Sequence, residues 1–311
     1  MSRLQQYVEE SKPLAKLGKP VDYIPALSKQ PVDQFTVCIL DESGNQFLSG
    51  NTKGKFTLQS ISKIISFIYI CEHLGIEKVL EYVDMEPTGD AFNSMVRLEI
   101  TEVGKPFNPL INAGAIAVCS LLPGAKKEER KEGLWQFIER MMGEKVAINE
   151  EVYRSELATA YRNRAIAYYL KSKNFLKGDV EDAVDIYTQQ CAIIVDVEIL
   201  ARIALIIVND GVNPTSGERI FSKKIAKIAK ALLITCGMYN DSGKFAAFVG
   251  IPAKSGVSGG ILTMANHANM EGLHGKLGIA TFGPSIDDVG NSIVGMSFLK
   301  RLSEGFHLTI F

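Results

Sequence analysis

The chain has 311 residues and a formal net charge of −1 at pH 7, with 46% hydrophobic and 22% charged residues. A net charge so close to zero gives no electrostatic reason to expect nucleic acid or an anionic membrane as a partner, so a small-molecule partner is expected. The first residues lack the apolar core of a signal peptide, and no apolar run is long enough to span a bilayer. We therefore expect a cytoplasmic location.

The first predicted elements are a helix and two strands. An amphipathic helix extends to about residue 17, and an irregular, proline-containing stretch follows it. Two strands, 34–40 and 46–49, flank a turn-rich linker that fits a hairpin. An apolar helix is then predicted to begin near Ser60.

Helical periodicity dominates the middle of the chain, from about residue 78 to 231. The clearest helices are predicted over 128–142, 162–170, 181–194 and 197–208. Strand patterns return only near the C-terminus, over 245–249, 260–264 and 277–282. The segment 265–274, rich in Gly and Asn, is predicted to be a polar loop, and an amphipathic helix over 291–302 follows the last strand.

This order of elements predicts an α/β fold of the α+β kind. Strands at both ends of the chain suggest one antiparallel sheet flanked by helices, with an all-helical lobe inserted between its halves. We predict a single domain, 1–311, in which residues 1–75 and 240–311 form the sheet-containing lobe and residues 76–239 the mostly helical lobe. A site at the junction of the lobes would be typical.

Ser60 and Lys63 form a Ser-x-x-Lys pattern at the start of the apolar helix. Residues three apart share a helix face, so Ser60 Oγ is predicted to lie within hydrogen-bond reach of the Lys63 amine. Lys63 is the only charged residue between Lys55 and Glu72, and burial should lower its pKa toward the working pH. A neutral Lys63 could then accept the proton of a Ser60 nucleophile.

The same pattern also occurs by chance, and the chain contains a second match at Ser297 and Lys300. That pair lies in the amphipathic C-terminal segment, where the lysine can reach water. Local context therefore favours Ser60 and Lys63 as the catalytic pair.

The triplet Lys254-Ser255-Gly256 precedes a predicted strand and has two interpretations. One is an ordinary edge turn. The other is a counterpart of the Lys-Thr-Gly element of serine β-lactamases and penicillin-binding proteins, which also carry Ser-x-x-Lys. In such a site the backbone N–H groups of Ser60 and Val257 would together hold an oxyanion.

Glu156 and Asn163 are seven residues apart and would face the same way if residues 153–170 form one helix. Such a pair could bind a zwitterionic ligand, although a solvent-exposed helix face gives the same pattern. Tyr187 and Tyr239 could each donate a phenolic proton or simply pack in the core. Asn112 lies among small apolar residues, so a buried Asn112 must be hydrogen-bonded, either to substrate or to backbone.

Five scattered cysteines are an odd number, and each has apolar neighbours, which favours reduced core residues over disulfides. The four histidines contain no His-x-x-x-His pair, and the chain has no Cys-x-x-Cys, so a zinc site is not expected. The phosphate-binding and dinucleotide-binding glycine motifs are also absent, so neither ATP nor NAD is indicated.

Several blocks together resemble the serine-dependent glutaminases, in order and over essentially the whole chain. These blocks are Tyr23-Ile24-Pro25, Gln59-Ser60-Ile61-Ser62-Lys63, Pro109-Leu110-Ile111-Asn112-Ala113-Gly114-Ala115, Asn163-Arg164-Ala165, Tyr187-Thr188-x-Gln190-Cys191, Gly237-Met238-Tyr239 and Lys254-Ser255-Gly256-Val257, where x is any residue. The segment 265–274 looks longer than the turn expected in that family, but it lies away from these blocks.

The resemblance implies a β-lactamase-like fold and hydrolysis of L-glutamine to L-glutamate and ammonia, with no metal or organic cofactor. It implies that Ser60 is the nucleophile, Lys63 the base and Tyr187 a proton relay, with the Ser60 and Val257 N–H groups as the oxyanion hole. The implied substrate-binding residues are Tyr23, Gln59, Ser60, Asn112, Glu156, Asn163, Tyr187, Tyr239 and Val257. A homo-oligomer, either dimer or tetramer, is also implied.

Two other functions remain open from the sequence. A penicillin-recognising acyl-enzyme would share the fold and Ser-x-x-Lys, but the absence of a signal peptide and the blocks around Asn112, Glu156 and Tyr187 argue against it. A catalytically inactive protein could use the same pocket to sense an amino acid, and the intact Ser60 and Lys63 argue against that function.

Overall fold

The computed structural model describes residues 1–101 and 103–311. Its main sheet has five antiparallel strands in the order β2-β1-β7-β6-β5. These strands are β1 (Thr36–Asp41), β2 (Gln46–Ser49), β5 (Ala253–Ser255), β6 (Gly260–Met270) and β7 (Leu273–Phe282). A second, two-stranded sheet pairs β3 (Phe56–Thr57) with β4 (Ile194–Val195). Early and late parts of the chain thus complete one antiparallel sheet, and the predicted fold class is confirmed.

Helices make up most of the remaining structure. The α-helices are α1 (Arg3–Ser11), α2 (Ser62–Leu74), α3 (Ile76–Val79), α4 (Val96–Ile100), α5 (Asn112–Ser120), α6 (Lys127–Met142), α7 (Glu150–Ala158), α8 (Tyr161–Ser172), α9 (Val180–Cys191), α10 (Val197–Val208), α11 (Lys223–Cys236), α12 (Ser242–Phe248) and α13 (Ile293–Phe306). Short 3-10 helices cover Lys12–Leu17, Gln59–Ile61 and Tyr239–Asp241.

The two faces of the main sheet bury different cores, because successive side chains of a strand point to opposite sides. In β1, Val37 and Ile39 pack in one apolar cluster with α1 and α13, whereas Cys38 packs in the larger cluster that contains α2, α5, α9 and α10. On that second face α10 lies very close to β7. A Cβ atom on Gly278 would lie 2.0 Å from the Ala201 carbonyl oxygen, so glycine is required there.

Most predicted helices are confirmed. The helix predicted over 197–208 has those bounds, and α6 begins one residue before its predicted start. The predicted first helix ends early, because α1 gives way to a 3-10 helix that contains Pro13. All five cysteines are free thiols, four of them buried, while Cys236 is only half-buried.

The predicted strand over 245–249 is wrong, because this segment belongs to helix α12 and its last turn. A short apolar run does not distinguish strand from helix by periodicity alone. The strand that precedes β6 is instead β5, which begins four residues after this segment and forms an edge of the main sheet. Lys254 and Ser255 therefore lie in a strand, not in the edge turn that was one interpretation of their triplet.

The predicted polar loop over 265–274 is also wrong, because β6 and β7 continue through it as a hairpin. A bulge between Ala265 and Ala268, where His267 has a φ of 57°, interrupts the alternation that marks a strand in a sequence. The hairpin turns at Glu271 and Gly272, both with positive φ, as in a type I′ turn.

This hairpin supports the N-terminus of α1. The Glu271 carboxylate accepts hydrogen bonds from the backbone N–H of Arg3 (2.7 Å) and of Leu4 (3.2 Å). Ser2 Oγ accepts a third, from Gln5 N–H. A carboxylate at this end of a helix satisfies free N–H groups and interacts favourably with the helix dipole.

Glu271→Ala is therefore expected to lower the free energy of unfolding by about 1–2 kcal/mol, the usual value of a helix cap in a folded protein. Urea unfolding measures this difference, and Asn269→Ala, an exposed change in the same hairpin, is the control. Equal stabilities of the two variants would show that the Glu271 cap contributes nothing.

Candidate active site

A cavity of about 130 Å³ lies where the 3-10 turn before α2, the start of α5, the α7–α8 junction and α9 meet. This is well below the roughly 300–1,000 Å³ of sites for drug-sized ligands, so the cavity suits a small molecule. Eight predicted site residues line it: Tyr23, Gln59, Ser60, Asn112, Glu156, Asn163, Tyr187 and Val257. Seven further lining residues were not predicted: Ile24, Phe92, Asn93, Thr159, Ala160, Arg162 and Cys191.

Ser60 lies in a tight turn that precedes α2. Gln59 has a φ of 47°, which is unusual for a residue with a side chain and costs about 1–3 kcal/mol. The strand end that carries Val257 approaches this turn closely, since a Cβ on Gly256 would lie 2.8 Å from the Leu58 carbonyl oxygen. The strained turn and the glycine together bring Ser60 and Val257 to the same cavity.

The predicted hydrogen bond between Ser60 and Lys63 is not among those formed in the described part of the chain. Lys63 Nζ instead donates to Asn112 Oδ1 (2.7 Å) and to the Leu110 carbonyl oxygen (3.3 Å). Ser60 precedes α2 by two residues, so the pair spans the junction of two helices instead of one regular helical face. Lys63 consequently lies behind the cavity wall, joined to it through Asn112.

Lys63 is fully buried, and burial lowers its pKa to about 8. Cys191 and Glu156 act in the opposite direction and raise the pKa of Lys63, but their effect is smaller than that of burial. The side chain is also 5.7 Å from the centre of the Phe92 ring and 5.9 Å from that of Tyr187. A substantial fraction of Lys63 is therefore neutral near pH 8, as a general base requires.

Asn112 connects three of the predicted site residues. Its Oδ1 accepts from Lys63 and from the Tyr187 hydroxyl (3.2 Å), and its Nδ2 donates to Asn163 Oδ1 (3.0 Å). The sequence indicated a partner for this buried amide but named only substrate or backbone. Side chains from α2, α8 and α9 take that role, and they orient Asn112 in the cavity wall.

Residues 153–170 do not form one helix, which was the condition for Glu156 and Asn163 to face the same way. Helix α7 ends at Ala158 and α8 begins at Tyr161. The Thr159 hydroxyl donates to the carbonyl oxygens of Ser155 (3.1 Å) and Glu156 (3.3 Å), and such side-chain bonds compete with continuation of a helix. Glu156 and Asn163 nevertheless line the same cavity, one from each helix.

The Glu156 carboxyl is the acidic group of this cavity wall. Burial raises its pKa to about 7, although contacts with Gln59 and Lys63 partly offset this. Its Oε2 atom is buried, and no hydrogen-bond donor among residues 1–101 and 103–311 reaches it. An unpaired buried carboxylate oxygen is costly, so a cationic ligand that donates to it would be favoured.

Tyr239 and Lys254 lie beside the cavity. Tyr239 has a φ of 52°, and burial raises the pKa of its hydroxyl, which the Ser60 side chain partly offsets. Lys254 is fully buried, its Nζ lies 4.4 Å from the centre of the Tyr239 ring, and it donates to the Ser255 carbonyl oxygen (2.7 Å). Burial, with a smaller effect of Lys63, holds the pKa of Lys254 well below its usual range.

Within the described ranges, no group of three or more His, Cys, Asp or Glu side chains is arranged to hold a metal ion. No helix in the same part of the chain is long and apolar enough to cross a membrane.

The chain is similar to known proteins over almost its whole length. The profile of the Glutaminase family matches residues 18–311. The chain is 49% identical over 310 residues to glutaminase 2 of Bacillus cereus. This alignment covers 99% of this chain and 95% of that protein. A crystal structure of a probable glutaminase from Bacillus subtilis superposes with a TM-score of 0.92 at 46% identity, covering 99% of this chain and 97% of that one.

A further solved structure shows a Bacillus subtilis glutaminase in covalent complex with 5-oxo-L-norleucine, formed by reaction with 6-diazo-5-oxo-L-norleucine. It is 44% identical, has a TM-score of 0.91, and covers 99% of each chain. The shared fold is the β-lactamase-like fold that the sequence predicted. The full-length family match and these similarities show that the chain belongs to the glutaminase family.

Proposed function

We propose that the protein hydrolyses L-glutamine to L-glutamate and ammonia through a γ-glutamyl ester on Ser60. The family membership supports glutaminase activity for this chain. The observation that carries the mechanism is one small cavity that contains Ser60 and the Glu156 carboxylate, whose Oε2 meets no hydrogen-bond donor among the described residues, with the buried Lys63 directly behind it. The covalent adduct of the related glutaminase supports an acyl-enzyme route.

In the first step, Ser60 Oγ attacks the carbon of the substrate carboxamide while Lys63 takes the serine proton. A neutral lysine has two N–H donors and one lone pair. Asn112 Oδ1 and the Leu110 carbonyl oxygen accept the two donors. The lone pair is then free to receive the proton of Ser60, once the substrate brings the two side chains into contact.

The negative charge that develops on the carboxamide oxygen is held by the backbone N–H groups of Ser60 and Val257. Among the described residues, no protein group accepts a hydrogen bond from Val257 N–H. Tyr187, already bonded to Asn112 beside Lys63, gives its proton to the departing ammonia and takes up the proton that Lys63 received from Ser60, so that Lys63 is neutral again. Water then hydrolyses the ester, with Lys63 again acting as the base.

The two charged groups of free glutamine account for the remaining polar residues. Glu156 receives the α-ammonium, while neutral donors from Tyr23 and Asn112 in the cavity wall hold the α-carboxylate together with Tyr239, which lies beside the cavity, and Gln59 and Asn163 complete the wall. A glutamine within a peptide has neither charge and would leave these groups unpaired. The site should therefore select the free amino acid.

The test is to measure glutamate and ammonia released from L-glutamine and from Nα-acetyl-L-glutamine by the purified protein. Release from L-glutamine with a much weaker reaction of the acetylated compound supports both the activity and the role of the α-ammonium. If L-glutamine binds but no ammonia appears, with or without phosphate, the amino-acid sensor replaces the enzyme as the better hypothesis.

Glu156→Gln is expected to raise KM for glutamine by about 10- to 100-fold, because a charge-assisted hydrogen bond is worth about 1.5–3 kcal/mol. The amide keeps the shape of the side chain, so kcat should change far less. Steady-state kinetics at pH 8 measure both constants. An unchanged KM would remove Glu156 from substrate binding.

We further propose that the protein is a homo-oligomer, either a dimer or a tetramer, and acts in the cytoplasm. The oligomer rests on the resemblance to the family. Sedimentation equilibrium tests the first, and cell fractionation tests the second.

A further inference from the structure

Helix α7 carries Glu156 but is weakly anchored by apolar contacts. Of its nine residues only Val152 is fully buried, whereas ten of the twelve residues of α10 are buried. Burial of apolar side chains is the main force that holds a helix in place. The position of Glu156 must therefore depend on other contacts of α7.

A polar cluster on α9 supplies these contacts. The Tyr153 hydroxyl donates to Asp185 Oδ1 (2.5 Å), while Lys127 Nζ and Gln189 Nε2 both donate to Asp185 Oδ2 (3.0 Å each). Burial alone would raise the pKa of Asp185, but these three donors hold it below its usual range. These four residues join α7, α6 and α9 through one largely buried carboxylate.

A second contact lies one helical turn after Tyr153 on α7 and one turn before Asp185 on α9, and it is made by Arg164 of α8. Arg164 donates to the Leu157 carbonyl oxygen (3.2 Å) at the end of α7 and to Glu181 Oε2 (2.9 Å) on α9. Tyr153 thus contacts α9 directly, and the end of α7 is joined to α9 through Arg164 of α8. Glu156 lies between the two attachment points.

We propose that Tyr153 and Asp185 are positioning residues that hold the Glu156 carboxylate where it meets the α-ammonium of the substrate. This inference rests on the proposed function. Tyr153 is one helical turn before Glu156, so fixing the tyrosine hydroxyl fixes the rotation of α7 and the direction of the glutamate side chain. Asp185 itself does not line the cavity, since its carboxylate is bonded to Tyr153, Lys127 and Gln189.

The test is Tyr153→Phe, which keeps the ring and removes only the hydroxyl. Loss of a hydrogen bond to a carboxylate is expected to raise KM for glutamine about fivefold or more, with kcat changed less than about twofold. Asp185→Asn should give the same separation of KM from kcat. Glu150→Gln, which removes an exposed ion pair with Arg154 on the same helix, is the matched control and should leave KM unchanged.

The double variant Tyr153→Phe/Glu156→Gln distinguishes positioning from general loosening of the fold. If Tyr153 acts through Glu156, the double variant has the KM of Glu156→Gln alone. If the two effects on KM multiply, or if Tyr153→Phe behaves like the Glu150 control, the inference is overturned. A normal KM for Glu156→Gln alone would instead contradict the proposed function.

Discussion

Ser60→Ala is expected to reduce kcat for glutamine hydrolysis by about 10⁴-fold or more, while the protein still binds L-glutamate. Loss of the nucleophile prevents formation of the γ-glutamyl ester, and losses of this size are typical when a serine nucleophile is removed. The pocket walls are unaffected, since Glu156, Asn112 and Val257 remain. Ammonia release measures the first effect, and calorimetric titration with L-glutamate measures the second.

The second Ser-x-x-Lys of the chain provides the control. Ser297 lies on α13, where its hydroxyl accepts from Ser11 (3.3 Å), and Lys300 is exposed beside Glu304. Ser297→Ala should therefore leave kcat and KM unchanged. If Ser60→Ala retained more than about a tenth of the wild-type kcat, another nucleophile would have to be sought.

Lys63→Met is expected to lower kcat by about 10²- to 10⁴-fold, the usual contribution of a general base. Methionine fills a similar volume but cannot accept a proton. The substitution also removes the two hydrogen bonds that Lys63 donates to Asn112 and to the Leu110 carbonyl oxygen. Lys300→Met, in the exposed pair of α13, is the matched control. A variant as active as the wild type would exclude Lys63 as the base.

The pH dependence of the wild type should identify the same group. Lys63 acts as a base only when neutral, and its pKa is about 8, so activity should rise with pH through that value. Glu156 must be ionised to hold an ammonium, and its pKa is about 7, so kcat/KM should fall further below pH 7. Protonation of either group lowers the activity of the enzyme. A plot of log kcat/KM against pH should therefore approach a slope of 2 in acid.

In Glu156→Gln only one of these two protonations remains, so the slope should fall to about 1. In Lys63→Met the rise through pH 8 should disappear. A wild-type profile that is flat between pH 6 and 9 would contradict the assignment of both groups. Rates measured at saturating glutamine separate the Lys63 protonation from that of Glu156, because kcat reports the enzyme–substrate complex.

Long periodic segments of the fold could be predicted from the sequence. Helix α10 was predicted with its observed bounds because ten apolar or small residues fill it almost without interruption. The segment 245–249 could not be assigned correctly, since a five-residue apolar run fits strand and helix equally. The hairpin at 265–274 was missed because the bulge at His267 shifts the side-chain alternation by one position.

The residues of the candidate site were found by motif and resemblance, but their contacts were not. The sequence placed Lys63 against Ser60, whereas tertiary packing directs its amine to Asn112, almost fifty residues further along the chain. The backbone strain at Gln59 and Tyr239 gives no sequence signal, since neither residue type marks a positive φ. Phe92 and Arg162 line the cavity only because a loop and a helix start happen to meet there.

The pairing of β1 with β7 determines when a newly made molecule can become active. Strand β1 leaves the ribosome early, but its register with β7 joins Val37 to Thr281, so most of the chain must be synthesised before the sheet can close. Contacts so distant in sequence form slowly, and unpaired strand edges are prone to aggregation meanwhile. A nascent chain that stops before Val257 contains Ser60 and Lys63 but lacks part of the cavity wall, so we expect activity only when synthesis is nearly complete.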